Sequence, residues 1–500
     1  MKLRELMEEV SVVATHGDLD VEIGELCHDS RRARAGDVFF ALPGAREDGG
    51  AFARAARAAG CVAVVGAVGT ALEEGPGIEV ADPRLALAQA ANRWAGHPSR
   101  ALRVVGVTGT NGKTTTTWLL ESIFRAAGWS AALIGTTGVR FAGRTHASAF
   151  TTPEAPELQA LLGEMVEARV DAVAIEVSSH ALAQRRSYGL ECDVVAFTNL
   201  SHDHLDYHGN MEAYLDAKLA LFDGRNATTS KRVTAVVNAD DAAAPRVIAA
   251  ARRGTQRVLT CGRGATADLR IARVTPNPAG LEIQFGVPAT AGGPASGGHA
   301  IVKLPLLGSY NAWNAAGAWL AASALGVTAD VIRRGLESAP GVPGRLERLT
   351  IGDRPDVVVD YAHTPDALGR SLGAVREHFR GRVLLVFGCG GDRDRAKRPV
   401  MGRIAAGGAD LAWVTNDNPR GEDPAAIARE VVSGAGGARL NVELDRRLAI
   451  GAALREAREG DVVLIAGKGH ETTQTIGTNV LPFDDRDVAR ELLASRGRSA

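Results

Sequence analysis

Short apolar runs alternate with longer amphipathic stretches along most of the chain. From residue 103 onward the runs include RVVGVT, AALIG, AVAIE, VVAF and TAVVN, and from residue 356 they include DVVVD, VLLVF, LAWV and VVLIA. Buried strands that alternate with helices are typical of a parallel sheet with helices on both faces. The pattern therefore predicts an α/β protein.

The pattern changes in two places. Residues 266–305 favour short strands separated by PNPAG and PATAGGPASGG, so we predict a small antiparallel portion with a flexible loop. The stretch NAWNAAGAWLAASALG that follows predicts a helix. The first hundred residues instead mix apolar runs such as DVFFAL and CVAVVG with the helical stretch ADPRLALAQAANRWAG.

The chain of 500 residues is too long for one ordinary hydrophobic core. Pro98 and Ser99 follow an alanine-rich helix, and APGVPGR at residues 339–345 precedes a second series of α/β alternation. We predict three α/β domains, which comprise residues 1–98, 99–340 and 341–500.

Composition narrows the class of protein. Lys and Arg number 57 and Asp and Glu 58, a balance that argues against a protein built to coat nucleic acid or an anionic membrane. The N-terminus lacks a secretory signal, no segment resembles a membrane span, and the five cysteines form no CxxC pair. We therefore expect a cytoplasmic protein. Only seven of the 57 basic residues are lysines, which makes each lysine a candidate for a task that arginine cannot perform.

A glycine-rich segment, GTNGKTT at residues 109–115, follows the apolar run RVVGVT. A strand, a tight loop and a helix in this order point backbone N–H groups at phosphates. Lys113 is placed to reach the terminal phosphates, and the Thr114 hydroxyl is placed to bind Mg²⁺. The spacing differs from the common P-loop, because only two residues separate Gly109 from Gly112.

Two polar segments follow other strands of the same predicted sheet. Glu176 begins EVSSH at a strand end, where a carboxylate would face Mg²⁺ beside the phosphates. The segment NLSHDHLDYHG contains His204 and other histidines at helical spacing, so zinc and a second Mg²⁺ ligand are both open interpretations.

Lys218 lies in the apolar helical pattern YLDAKLALF. Burial lowers the pKa of a lysine, and a neutral amine reacts with carbon dioxide to give an anionic carbamate. The residues alone favour a salt-bridged lysine or one that extends to the surface.

Four further polar segments follow successive strands in the last third of the chain: DYAHTP, GCGGDRD, DNPR and GKGHE. Polar segments at the carboxyl ends of neighbouring parallel strands indicate a binding crevice. Arg393 and Arg420 could bind carboxylates bidentately, and Glu471 could accept from an ammonium group.

The order of these motifs, with TTP, GSYNAWN and GRLE between them, resembles that of the Mur ligases over essentially the whole chain. The resemblance implies a uridine-nucleotide domain, a central ATPase and a Rossmann-like domain that carries the incoming amino acid. One departure is His202, where many relatives carry arginine.

The resemblance also implies roles for individual residues. Lys113, Glu176, His204 and Lys218 match catalytic residues, with Thr114, Glu176, His204 and a carbamate on Lys218 as Mg²⁺ ligands. This reverses the expectation for Lys218 from the residues alone. The implied ATP site comprises Gly109, Thr110, Asn111, Gly112, Lys113, Thr114, Thr115, Asn311, Arg345, Asp360 and His363. The implied site for the UDP-N-acetylmuramoyl-dipeptide comprises Ser30, Thr151, Thr152, Ser178, Gln184 and Arg186. The implied amino-acid pocket comprises Arg393, Asp417, Asn418, Pro419, Arg420, Gly467 and Glu471.

The implied reaction is ATP-dependent addition of meso-2,6-diaminopimelate to the D-glutamyl γ-carboxylate of UDP-N-acetylmuramoyl-L-alanyl-D-glutamate. DNPR favours this substrate because Arg420 can pair with its second carboxylate. L-Lysine, L-ornithine and LL-diaminopimelate remain alternatives. More distant ones are a P-loop NTPase that acts as a switch, a folylpolyglutamate synthetase and an inactive nucleotide-sugar-binding scaffold. We expect a monomer that binds small molecules and no nucleic acid.

Overall fold

The computed structural model describes residues 1–44, 49–70, 72, 75–227, 229–287, 298–349, 355–437 and 440–496. The chain divides into two compact units. The first comprises Met1–Leu269 and Gly317–Ile332, and the second comprises the remaining described residues. The α/β fold predicted from the apolar pattern is confirmed in both units.

The N-terminal part of the first unit is a five-stranded sheet. In spatial order its strands are Val12–His16, Gly77–Val80, Ala63–Ala67, Val38–Phe40 and Leu26–Cys27, and only the first pair is antiparallel. Alternate side chains of Val38–Phe40 enter apolar clusters on opposite faces, as expected for a sheet buried on both sides. The helices are Leu3–Leu6, Ala53–Ala58 and Pro83–Trp94.

The central part of the first unit contains a mostly parallel sheet. In spatial order its strands are Arg257–Gly262, Thr234–Asn238, Val194–Phe197, Arg103–Thr108, Ala172–Glu176, Ala131–Gly135, Gly138–Phe141 and Arg144–His146. The last two form an antiparallel extension that the sequence did not predict. The helices are Lys113–Ala126, Ala155–Glu167, Ser179–Ala183, Leu205–His208, Met211–Leu219 and Ala244–Gly254.

The predicted antiparallel portion is present in the second unit. Its strands are Leu269–Asn277, Gly280–Val287 and Gly298–Leu304. The predicted flexible loop PATAGGPASGG lies outside the described residues except for Gly298. The helix predicted from NAWNAAGAWLAASALG spans Asn311–Ala324, and a further helix spans Ala329–Glu337.

The C-terminal sheet has six strands. In spatial order these are Glu347–Leu349, Asp356–Asp360, Val462–Ala466, Val383–Phe387, Leu411–Val414 and Asn441–Val442, all parallel except for the first. Apolar clusters cover both faces. A hairpin of Thr473–Ile476 and Asn479–Pro482 was not predicted. The helices are Pro365–His378, Lys397–Gly408, Pro424–Ser433, Arg446–Glu456 and Asp485–Arg496.

Three parallel strands of this sheet, Val462–Ala466, Val383–Phe387 and Leu411–Val414, are neighbours, so the segments that follow them meet at one edge. Among the described residues, no helix has both the length and the apolar character needed to cross a lipid bilayer. The predicted domain boundaries at residues 98 and 340 stay predictions.

Candidate functional site

The glycine-rich segment of the first unit forms the predicted loop between a buried strand and a helix. The strand ends at Thr108 and the helix begins at Lys113. Gly109 and Gly112 have φ angles of 145° and 86°. A Cβ atom at Gly109 would lie 1.9 Å from the Thr198 hydroxyl. Glycine is therefore required at position 109, and the first N–H groups of the helix face the loop.

Residues after the neighbouring strand Val194–Phe197 brace this loop. The Thr198 hydroxyl donates to the Asn111 carbonyl oxygen at 2.6 Å. The Asn199 side-chain oxygen accepts from the Asn111 amide at 3.0 Å, and the Thr110 hydroxyl accepts from the Ser201 amide at 3.0 Å. The sequence predicted only metal ligands in this segment, and the hydrogen bonds by which it holds the loop were not predicted.

Two lysines converge on one carbonyl oxygen of the loop. The Nζ atoms of Lys113 and Lys218 each lie 2.9 Å from the Gly109 oxygen. Lys218 is only 1% exposed, and its Nζ lies 4.3 Å from the centre of the Tyr214 ring. The interpretation from the residues alone, a salt-bridged lysine or one that extends to the surface, is therefore wrong, because the described contacts of this buried amine are a carbonyl oxygen and an aromatic ring.

The electrostatic environment of Lys218 favours its neutral form. Burial lowers the pKa of Lys218 well below its ordinary value, and the charge of Lys113 lowers it further, while Asp203 opposes this only in part. A neutral amine has a lone pair that can attack carbon dioxide. The site therefore fits the chemistry of carbamate formation.

Glu176 is fully buried beside the loop. One carboxylate oxygen accepts from the Thr114 hydroxyl at 3.0 Å and from the Thr136 hydroxyl at 3.1 Å. The other accepts from the Thr136 amide at 2.9 Å. These donors are neutral, so the carboxylate and the Thr114 hydroxyl offer two hard oxygen ligands that fit Mg²⁺. Thr136, which orients Glu176, was not predicted.

His204 begins the short helix Leu205–His208 with a φ of 53°. Its ring packs edge-on against His180, with centroids 4.8 Å apart. Partial burial lowers the pKa of His204; Asp203 opposes this shift, and the charge of Lys113 adds to it. Throughout the described residues, no group of three or more His, Cys, Asp or Glu side chains is arranged to hold a metal ion.

The residues predicted to hold the muramoyl-dipeptide lie next to Glu176. The Thr152 hydroxyl donates to the Glu176 carbonyl oxygen at 2.8 Å and accepts from the Ser178 amide at 3.1 Å. The Thr151 and Thr136 hydroxyls are 3.1 Å apart.

Arg186, another residue predicted to hold the muramoyl-dipeptide, is 9% exposed. It contacts Gln184 at 2.5 Å and Glu154 at 2.9 Å, and its guanidinium lies 4.2 Å from the centre of the Phe150 ring. The structure thus brings the predicted dipeptide residues other than Ser30, together with the phosphate loop, to one edge of the central sheet.

Ser30, the predicted uridine contact, lies in the N-terminal part of the unit. It borders a cleft of about 550 Å³ together with His28, Asp29 and Phe52. The Arg31 side chain holds the pKa of Asp29 at about 2, because it donates to that carboxylate at 2.7 and 2.9 Å.

The second unit contains the other four predicted ATP residues. Asp360 accepts from the Leu346 and Ala362 amides and from the Ser371 hydroxyl, and burial raises its pKa. The guanidinium of Arg345 lies 5.0 Å from the centre of the Tyr361 ring, and His363 Nδ1 lies 2.8 Å from the Tyr361 carbonyl oxygen. The side-chain Nδ2 of Asn311 donates to the Leu307 carbonyl oxygen at 2.7 Å. Their role as nucleotide contacts stays a prediction.

The predicted amino-acid pocket assembles at the edge of the C-terminal sheet. The Glu471 carboxylate accepts from the Asn418 amide at 2.9 Å and from Lys468 Nζ at 3.0 Å. Asp417 is buried beside Gly467, where a Cβ atom would lie 3.5 Å from the Asp417 carboxylate. Burial raises the pKa of Asp417, although Arg446 and Lys468 oppose this.

The two arginines of the pocket flank Gly390. A Cβ atom there would lie 3.0 Å from Arg420 Nη1 and 3.9 Å from Arg393 Cγ. Arg420 has a φ of 51° and donates to the Gly391 carbonyl oxygen at 2.8 Å. A Cβ atom at Gly391 would lie 1.8 Å from the Pro419 carbonyl oxygen. The glycine-rich turn can therefore lie against DNPR only because Gly391 lacks a side chain.

Two buried cations near the pocket were absent from the predicted site. Lys468 is 0% exposed. Two features of the sequence could have identified it as a site residue: lysines are scarce in this chain, and Lys468 lies in the polar segment GKGHE. Arg446 forms a bidentate pair with buried Asp485, with both contacts at 2.7 Å. Arg446 also donates to the Asn416 and Ala466 carbonyl oxygens, which joins the segments before Asp417 and Gly467.

Three family models match this chain. The Mur ligase family catalytic domain matches residues 22–95, the Mur ligase middle domain matches 107–322, and the Mur ligase glutamate ligase domain matches 344–469. Together they account for most of the chain.

Known proteins are similar over its whole length. A protein of Gloeobacter violaceus is 44% identical, with 99% of each chain covered, and one of Geobacillus kaustophilus is 41% identical, with 99% of this chain and 100% of the relative covered. Both are named UDP-N-acetylmuramoyl-L-alanyl-D-glutamate–2,6-diaminopimelate ligase. A solved structure of that name is 33% identical, with a TM-score of 0.72 and 99% of each chain covered. This chain belongs to the Mur ligase family.

Proposed function

We propose that this chain is the ATP-dependent ligase that joins meso-2,6-diaminopimelate to the D-glutamyl γ-carboxylate of UDP-N-acetylmuramoyl-L-alanyl-D-glutamate. The names of its full-length relatives support this assignment. The observation that carries it is the C-terminal pocket, where Arg420 and Arg393 flank one glycine and Asp417 and Glu471 lie nearby. We place the enzyme in the cytoplasm, as a monomer.

The pocket suits the far end of diaminopimelate. That end carries a carboxylate and an ammonium group, which complement an arginine and an acidic residue respectively. Arg420 pairs with the carboxylate, and Glu471 and Asp417 receive the ammonium. L-Lysine and L-ornithine lack the second carboxylate, so they would leave Arg420 unsatisfied in a partly buried site.

The first chemical step activates the D-glutamyl carboxylate. The loop amides of residues 109–112 and Lys113 hold the phosphates of ATP, and the carboxylate attacks the γ-phosphorus. The bond from phosphorus to the bridging oxygen breaks, so the products are an acyl phosphate and ADP. Two anions meet in this step, so most of the catalysis is positioning and charge neutralisation.

Mg²⁺ fits the oxygen ligands beside the loop. Thr114 and Glu176 would hold it, with His204 and a carbamate on Lys218 as further ligands, and the bound ion would spread the charge of the phosphates. The carbamate forms when the neutral Lys218 amine attacks carbon dioxide and loses a proton. Its support is the burial of Lys218 and the direction of its pKa shift.

In the second step the neutral amine of diaminopimelate attacks the acyl carbon. The tetrahedral intermediate then collapses to the amide and phosphate. The proton of the amine passes to His204, His180 or water. The remaining residues have binding roles: Ser30, Thr151, Thr152, Ser178, Gln184 and Arg186 contact the UDP-N-acetylmuramoyl-dipeptide, and Asn311, Arg345, Asp360 and His363 contact ATP.

The decisive experiment measures phosphate release with ATP, Mg²⁺ and the UDP-linked dipeptide, with each candidate amino acid supplied in turn. We expect release that requires meso-diaminopimelate and is weak with L-lysine. Release with L-lysine or L-ornithine instead would preserve the reaction and contradict the role of Arg420. ATP turnover that needs no amino acid would favour an NTPase.

A further inference from the structure

The pocket of the second unit contains a buried cation that has no assigned role. Lys468 is 0% exposed, whereas the side chain of Glu471 is 32% exposed. Lys468 Nζ lies 3.0 Å from Glu471 Oε2 and 3.4 Å from Asn418 Oδ1. A ligand that enters the pocket can therefore meet Glu471 but cannot reach Lys468.

The three side chains form a closed triangle. The Asn418 Nδ2 atom donates to the same Glu471 oxygen at 2.9 Å, and Asn418 Oδ1 also accepts from the Thr475 amide at 2.9 Å. Lys468, which has only donors, determines which end of the Asn418 amide faces it. The orientation of both pocket residues thus depends on Lys468.

The charges around this triangle are mixed. Burial tends to raise the pKa of Glu471, but Lys468 and Asn418 outweigh this effect and hold it below its ordinary value. Asp417 also feels the charge of Lys468. The other titratable or charged groups that face these carboxylates are Arg446, Asp485, His470 and Tyr361, and Tyr361 also hydrogen-bonds to Glu471.

The contacts of Lys468 differ from those of two other ion-paired cations, the buried Arg446 and the partly buried Lys231. Arg446 donates to two backbone carbonyl oxygens as well as to Asp485. Lys231 likewise donates to the Leu102 carbonyl oxygen at 2.6 Å and to Asp193 at 2.8 Å. These contacts hold backbone segments in place, whereas both contacts of Lys468 are to side chains expected to touch the substrate.

We propose that Lys468 is a positioning residue that holds Glu471 and Asn418 in the orientation that receives the distal ammonium group of the amino-acid substrate. The proposal rests on the proposed function, since it takes diaminopimelate as the substrate of this pocket. Lys468 does not touch the substrate. It keeps Glu471 ionised and directed into the pocket before the substrate arrives, which lowers the cost of ordering these groups on binding.

The test compares two substrates that differ only at the distal ammonium. 2-Aminopimelate has the chain length and both carboxylates of diaminopimelate but lacks that group. In Lys468→Met we expect KM for diaminopimelate to rise about tenfold or more, the effect of a lost charge-assisted hydrogen bond. KM for 2-aminopimelate and KM for ATP should stay within about twofold of wild type.

A pH series adds a second readout. Without its cation Glu471 has a higher pKa, so it becomes protonated as the pH falls and loses its attraction for the ammonium group. KM of the variant for diaminopimelate should therefore rise as the pH is lowered, over a range in which that of wild type is steady. Loss of a purely structural contact would not change KM selectively in this way.

Matched variants separate the possible outcomes. Lys231→Met removes a partly buried, ion-paired lysine and should leave the ratio of the two KM values unchanged. Glu471→Gln tests the pocket itself. If Glu471→Gln lowers the preference for diaminopimelate and Lys468→Met does not, or if Lys468→Met weakens both substrates equally, the positioning role is refuted and the pocket assignment stands.

If both variants leave the preference unchanged, the pocket assignment of the proposed function fails. Lys468→Gln, which keeps a donor but removes the charge, repeats the test if Lys468→Met does not fold. If neither folds by circular dichroism and thermal unfolding, Lys468 is a structural residue and the proposal is overturned.

Discussion

The phosphate loop and the amino-acid pocket are each built around a buried lysine, but the two lysines have opposite environments. Lys218 contacts the Gly109 carbonyl oxygen and the Tyr214 ring, with Lys113 nearby. Lys468 contacts the carboxylate of Glu471. Burial is equally complete at both positions. The comparison indicates that the partner, and not burial by itself, distinguishes two buried amines: we propose that Lys218 reacts with carbon dioxide and that Lys468 holds a neighbouring acid.

The acidic residues of the two regions also differ in the groups that donate hydrogen bonds to them. Glu176 accepts hydrogen bonds from the neutral Thr114 and Thr136, whereas Glu471 accepts from a cation and an amide. The described contacts of Glu176 thus include no cation, which suits the Mg²⁺ ligand role that we propose for it. Glu471 already has an internal counter-ion, which holds its pKa below the ordinary value and suits the ammonium-binding role that we propose for it.

The largest expected effect comes from removing the reactive lysine. Lys218→Ala should lower the rate of phosphate release by about 10³-fold, because it deletes both the amine and the anion proposed to form on it. Removal of carbon dioxide from the buffer should also lower wild-type activity, with recovery on addition of bicarbonate. If the variant keeps more than about a tenth of the wild-type activity, neither Lys218 nor a carbamate on it is important for catalysis.

The next largest effect is expected in the pocket. Arg420→Lys keeps the charge but removes the planar fork, and we expect KM for diaminopimelate to rise about thirtyfold or more. KM for ATP should not change. Steady-state kinetics with each substrate varied in turn would check this, and an equal rise in both KM values would indicate a general distortion.

Substitution of Glu176 or Glu471 by glutamine should have an intermediate effect on activity, and the response to Mg²⁺ should distinguish the two variants. Glu176→Gln should reduce activity about 10–100-fold, with partial recovery at higher Mg²⁺ concentration, because it weakens a metal ligand. Glu471→Gln should raise KM for diaminopimelate and show no recovery with Mg²⁺. A Mg²⁺ titration of both variants would check this, and the same Mg²⁺ response in both would abolish the distinction between the two acids.

The smallest effect concerns stability. Arg398, fully buried in the C-terminal sheet domain, donates to Glu422 and holds the pKa of that carboxyl at about 2, against an ordinary value of 4.5. Because the folded-state pKa is lowered, the stabilisation is present above pH 4.5 and is lost as the pH falls toward 2. Glu422→Gln should flatten this dependence in urea unfolding measured from pH 5 downward. If the free energy of unfolding of the variant depends on pH as steeply as that of wild type, Glu422 is not the source of the pH dependence.

The sequence predicted the strands near the sites well, because each is a buried run bounded by polar residues. Arg103–Thr108, Ala172–Glu176 and Val462–Ala466 all lie where the apolar runs predicted them. The hairpins Gly138–Phe141 with Arg144–His146 and Thr473–Ile476 with Asn479–Pro482 were missed. The outer strands Arg144–His146 and Asn479–Pro482 are fully exposed, so they lack the apolar run that identifies a buried strand. Gly138–Phe141 is mostly buried, but it has only four residues and Arg140 interrupts its apolar positions.

By itself the sequence determined the α/β class, the phosphate loop, the polar strand ends and, through the order of its motifs, membership of the Mur ligase family. The roles of the individual site residues stay predictions. Only the tertiary structure decided what each buried lysine touches. Lys218 and the Gly109 carbonyl oxygen are 109 positions apart, and Lys468 and Asn418 are 50 apart. The charge of a buried group depends on such neighbours and on its removal from water, and neither can be read from the residues beside it in the chain.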